Sequence, residues 1–96
     1  MNTYAQQIKQ SILPILRRYG VSKAALFGSA IRGQMGSESD IDILVQIDKD
    51  ISLLEFVGLK LDLEETLNRN VDLGEYETIK PLLRERILKE QEIILQ

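Results

Sequence analysis

The chain has 96 residues, 44% of them hydrophobic, which suits one compact globular domain spanning 1–96 and not two. It contains neither cysteine nor histidine, which excludes disulfides, thiolate or imidazole metal sites and any His-based triad. With a net charge of −3 there is no basic field to hold a long nucleic acid, while a small anion bridged by a divalent cation stays open.

The N-terminal stretch MNTYAQQIKQ is polar, and no apolar run approaches the ~20 residues needed to span a bilayer. A cytoplasmic protein is expected. Over residues 3–19, Ile8, Ile12, Leu13, Ile15, Leu16 and Tyr19 recur at helical spacing and Gly20 closes the run. Pro14 removes an amide and crowds the preceding turn, so the pattern predicts a helix, a step near Ser11 and a second short helix. Residues 22–27 (SKAALF) read as a short buried strand leading into Gly28-Ser29, where Ser29 opens a short helix.

The segment 40–47 (DIDILVQI) alternates Ile41, Ile43, Val45 and Ile47, as one buried strand face requires. Ser52 with Glu55 three residues later forms a capping-box pattern ahead of a helix over 53–68. That helix is expected to bring Leu53, Phe56, Val57, Leu61, Glu64 and Leu67 near one side. RNVDLGEY (69–76) reads as a third strand. Thr78 is the expected cap of a last helix with Pro81 in its first turn, burying Leu83, Ile87, Leu88 and Ile94. The order α-β-α-β-α-β-α describes an α+β domain of α/β type, a small mixed sheet of about three core strands flanked by helices.

Asp40 and Asp42 stand two apart at the head of an otherwise apolar strand, so they share a face. Two neighbouring carboxylates repel, and a cation between them removes that cost. Mg²⁺ suits them, since it takes hard oxygen ligands and keeps positions for water and phosphate. Alone, the pair reads more readily as a solvated strand end; Asp48 and Asp50 repeat the spacing in a turn with no expected role. Gly28-Ser29 after a strand lets the backbone approach a phosphate, with the Ser29 hydroxyl and helix amides as donors. The segment GSAIRG lacks the second early glycine of a dinucleotide fingerprint and the GK[ST] of a Walker loop.

Ten residues separate Gly28-Ser29 from Asp40-Ile41-Asp42, and antiparallel pairing of the two strands would bring both features to one sheet edge. In this pattern, G-S-x10-D-x-D, the chain resembles the DNA polymerase beta-like nucleotidyltransferase superfamily, and within it the minimal nucleotidyltransferases. LFGSAIRG, SDIDILV, NVDL and KPLLRERILKE all sit where that group has similar segments.

The resemblance implies the nucleotidyltransferase fold, with Gly28 and Ser29 on the triphosphate and Arg32 as a basic residue near it. Asp40, Asp42 and Asp72 become metal ligands and catalytic acids. Asp72 has weaker support of its own, lying mid-strand between Val71 and Leu73 and facing away from them. The implied chemistry is Mg²⁺-dependent transfer, with two ions, of AMP from ATP to a hydroxyl. Free-standing members of the group resemble antitoxins whose partner is a HEPN-domain toxin modified on tyrosine, which implies a hetero-oligomer. A catalytically silent partner acting by occlusion and a small-molecule nucleotidyltransferase are the alternatives.

Overall fold

The computed structural model describes residues 2–28 and 40–96. Helix α1 spans Thr3–Arg18, opened by Asn2, whose side-chain oxygen accepts from the Ala5 amide at 2.8 Å. It is one continuous helix, without the step expected near Ser11. Pro14 and Gln10 are both exposed, so the carbonyl that loses its helical donor faces water. On the opposite side Ile8, Ile12, Ile15 and Leu16 are buried and hold the helix through the proline. Gly20, at φ +79°, turns the chain into the sheet.

Four strands follow the order β3-β2-β1-β4, where β1 is Val21–Phe27, β2 Ile41–Ile47, β3 Val71–Glu75 and β4 Glu92–Leu95. β1 pairs antiparallel with β2 and with β4, while β2 and β3 run parallel. The parallel pair is linked by helix α2, Leu53–Leu67, as a parallel connection requires. Ser52 and Glu55 form the expected capping box, with the Glu55 amide donating to the Ser52 hydroxyl at 3.0 Å. Helices α1 and α2 cover one face of the sheet. Ile12 and Leu16 of α1 and Leu59 and Leu63 of α2 meet Leu26, Ile41, Ile43 and Val45 in the core.

Further expectations are corrected. The sheet has a fourth strand: residues 92–95 leave the last helix and pair with the free edge of β1, so Ile94 is buried as a strand residue. The last helix, α3 (Pro81–Glu90), has Pro81 in its first turn but buries no residue, and Leu83 is 47% exposed. Thr78 does not cap it; its hydroxyl donates to the Glu75 carbonyl within a 3-10 turn at Tyr76–Thr78, and Lys80 precedes the helix. Finally, α2 turns Leu59 and Leu63 inward, while Leu53, Val57 and Leu61 face out. The helix expected after Ser29 falls outside the described residues.

Long-range ties join the elements. The Tyr19 hydroxyl donates to Asp62 at 2.7 Å, linking the end of α1 to α2. The Tyr76 hydroxyl donates to Gln91, and the Arg84 guanidinium donates to the Tyr76 carbonyl at 3.4 Å, so Tyr76 anchors α3. The hydrogen bond to the Asp62 carboxylate raises the Tyr19 pKa, and burial raises that of Tyr76.

Two outcomes follow from this packing. Leu59→Ala should cost about 2–5 kcal/mol in urea denaturation, whereas Leu54→Ala, at an 81% exposed position, should stay within about 0.5 kcal/mol of wild type. Both tyrosines hold their protons more tightly folded than unfolded. Their contribution is complete below pH ~10 and is lost as pH rises through the raised folded values. Stability measured from pH 8 to 11.5 should therefore fall at the alkaline end, and less steeply in Tyr76→Phe.

Candidate active site

The register of the sheet assembles the candidate site. β2 begins with its Ile41 amide donating to the Asn70 carbonyl at 3.0 Å, which aligns the starts of β2 and β3. Asp42 then lies directly opposite Asp72 across the parallel pair. Since Ile41 and Val71 are buried under the helices at the preceding position, both aspartates project from the other face. On its second side Asp42 pairs with Phe27, the last residue of β1. The next residue is Gly28.

Gly28 adopts φ +68°, the left-handed region that glycine enters without strain. A Cβ built on it would lie 2.6 Å from Oδ2 of Asp42. A side chain there would displace the Asp42 carboxylate. The turn ending β1 and the carboxylate beginning β2 are thus in direct contact, which is the convergence expected from antiparallel pairing of the two strands.

Asp40 is exposed one residue before β2, and Asp72 is exposed on β3. Asp42 is half-buried between them. Among the described residues no three carboxylates are drawn together as a closed metal cage. The arrangement is instead an open one of adjacent register and shared face. Its donors are all carboxylate oxygens, the type Mg²⁺ takes, and Mg²⁺ commonly needs only one or two from a protein beside substrate phosphates. Asp42 and Asp72 fit that role. Ser29 and Arg32 lie outside the described residues.

Two other charged residues make local contacts away from the aspartates. Asp48 accepts from the Gln46 side chain at 3.1 Å, beyond the opposite end of β2. Lys23 sits on β1 four residues before Phe27, its ammonium 4.9 Å from the centroid of the Tyr76 ring. Two positioning residues escaped the sequence reading. The Glu64 carboxylate accepts from the Val71 amide at 2.9 Å, so α2 fixes the start of β3 one residue before Asp72. Asn70 does the same for β2 through its carbonyl. An acidic residue at a position spaced with the apolar ones of the helix was the available signal for Glu64.

Gly28→Ala should destabilise the chain by at least about 1 kcal/mol, from the positive φ and the contact with Asp42 together. In an Asp42→Gly background the contact is gone and a smaller cost should remain. A double-mutant cycle in urea checks the coupling; full additivity would deny it.

Comparison with known proteins places this geometry. The model of the family described as "Polymerase beta, Nucleotidyltransferase" matches residues 10–96. A Methanocaldococcus jannaschii protein named "Putative protein adenylyltransferase" is 49% identical over 84 residues, covering 88% of this chain and 90% of its own. A solved structure described as a "putative minimal nucleotidyltransferase" superposes with a TM-score of 0.80 at 33% identity, covering 91% of this chain and 89% of that one. A complex of a tri-AMPylated Shewanella oneidensis HEPN toxin with an MNT antitoxin gives a TM-score of 0.70 at 23% identity, over 94% of this chain and 71% of that one. The last is a likeness of fold.

Proposed function

The chain belongs to the polymerase beta nucleotidyltransferase family, and on that premise we propose that it is a protein adenylyltransferase moving AMP from ATP to a hydroxyl of a partner protein. The observation that carries this reading is the Asp42–Asp72 register pair with Gly28 packed against it. The name of the Methanocaldococcus jannaschii relative supports protein as the acceptor. The AMPylated toxin in the Shewanella complex supports a HEPN-type toxin as the partner and an antitoxin role, and a tyrosine hydroxyl is the proposed acceptor. Residues 1–96 then act as a single catalytic domain in the cytoplasm, where ATP is available. No helix among the described residues is long and apolar enough to cross a membrane.

In this reading the turn at Gly28 lets the triphosphate approach the backbone, with Ser29 donating to it and Arg32 offsetting its charge. Asp40, Asp42 and Asp72 hold Mg²⁺, two ions in all. When bound, the ions neutralise charge on the phosphate oxygens and orient them. The acceptor oxygen forms a bond to the α-phosphorus as the bond to the β-phosphate oxygen breaks, and pyrophosphate leaves. The hydroxyl proton passes to the Asp72 carboxylate, the nearest base on the open face in a chain without histidine.

The test is incubation of the chain with ATP, Mg²⁺ and the product of the adjacent gene, the candidate HEPN-type partner, read by intact mass. One or more adenylyl groups should appear on the partner. Asp42→Asn should abolish the gain. Asp72→Asn should slow it by roughly 10²–10⁴ if Asp72 takes the proton. A partner that is neutralised yet gains no mass would replace catalysis by occlusion.

A further inference from the structure

Helix α2 is apolar on two opposite sides. Its inner side carries Leu59 and Leu63 into the core, with Phe56 and Leu67 packed against it. Its outer side exposes Leu53 (79%), Leu54 (81%), Val57 (40%) and Leu61 (56%). At the helical repeat these four positions fall within about 100° of arc and form one continuous stripe. Glu55, Asp62, Glu65 and Thr66 occupy the remaining side, and apolar surface of a few hundred Å² commonly marks an interaction site.

The charges around the stripe are predominantly acidic. At its N-terminal end a groove is lined by Asp48, Asp50, Glu75 and Glu77, with Lys49 as its one cation among the described residues. A second groove, holding Leu53, Phe56, Leu73 and Glu75, joins that acidic end to the stripe. Glu64 and Glu65 stand at the C-terminal end. A second copy of this chain is a poor occupant. Packed antiparallel, it would set the Asp48–Asp50 end against Glu64 and Glu65; packed parallel, it would set each acidic end against itself. Like charges held together across an interface cost free energy in both arrangements.

We propose that the outer face of α2 docks the protein acceptor, and that the acceptor presents an apolar stripe bordered by lysine or arginine. The identity of the acceptor rests on the transfer reading above. The placement is consistent with transfer. α2 returns from the far end of β2 to the start of β3, where Glu64 ties it one residue from Asp72. A partner lying along the stripe therefore reaches the carboxylate end of the sheet while the carboxylate face itself stays open.

Leu54→Glu and Leu61→Glu test the surface, with Leu82→Glu on α3, at a 96% exposed position outside the stripe, as control. The probe is the product of the adjacent gene, the candidate HEPN-type acceptor, titrated calorimetrically, with light scattering on each chain alone and intact mass after ATP and Mg²⁺. The two stripe variants should bind at least tenfold more weakly, the control should bind as wild type, and wild-type affinity should fall as salt rises. Equal binding by the stripe variants overturns the proposal. So does failure of the wild type to bind, or a wild-type homodimer that the stripe variants dissociate. If the partner binds through the stripe but gains no nucleotide, transfer fails and docking stands. If Leu61→Glu modifies the partner as fast as wild type at limiting concentrations, docking fails and transfer stands.

Discussion

The candidate site depends on one pairing. Parallel alignment of β2 with β3 places Asp42 opposite Asp72, and a slip of one residue would turn one of them into the helix-covered core. Two aspartates at one register position oppose the pairing through like charge and poor strand propensity. The opposition is overcome on the other face, where Ile41 and Val71 are buried beside Ile43. Hydrogen bonds at the strand starts, from Ile41 to Asn70 and from Val71 to Glu64, add directional control. Hydrophobic burial thus holds in place a polar arrangement that would not assemble by itself.

Gly28 adds a second constraint to the same spot. Its left-handed backbone ends β1, and its missing side chain allows the chain to lie against Asp42. A larger residue there is strained by the positive φ and must also push the Asp42 carboxylate aside. The separation of Gly28 from Asp42 along the chain becomes contact in space because β1 and β2 are antiparallel neighbours.

Much of this was legible in the residues themselves. The alternation of Ile41, Ile43 and Val45 identified β2 and its buried face, and Ser52 with Glu55 marked the start of α2. The shared edge for Gly28 and Asp42 was legible on the condition of antiparallel pairing, which β1 and β2 adopt. Other features were not legible. Periodicity cannot choose between two apolar sides of one helix: it grouped Leu53, Val57 and Leu61 with Phe56 and Leu67 on one side, whereas Phe56 and Leu67 pack with Leu59 and Leu63 against the core and the other three face out. Pro14 suggested a break because local rules omit the tertiary packing of Ile12, Ile15 and Leu16. Glu92–Leu95 continued a helical pattern and became a strand because β1 offered an unpaired edge. That edge is a property of the assembled sheet, and no window of sequence contains it.

The pairing of β4 with β1 also bears on how the chain is made. Residues about seventy positions apart must meet to finish the sheet, a long loop to close, and loops of that kind slow folding. During synthesis, β1 emerges early and its outer edge has no cover until residues 92–95 leave the ribosome. A stalled ribosome or a nuclease-cut message would release chains with that edge bare, prone to clumping and an easy mark for proteolysis.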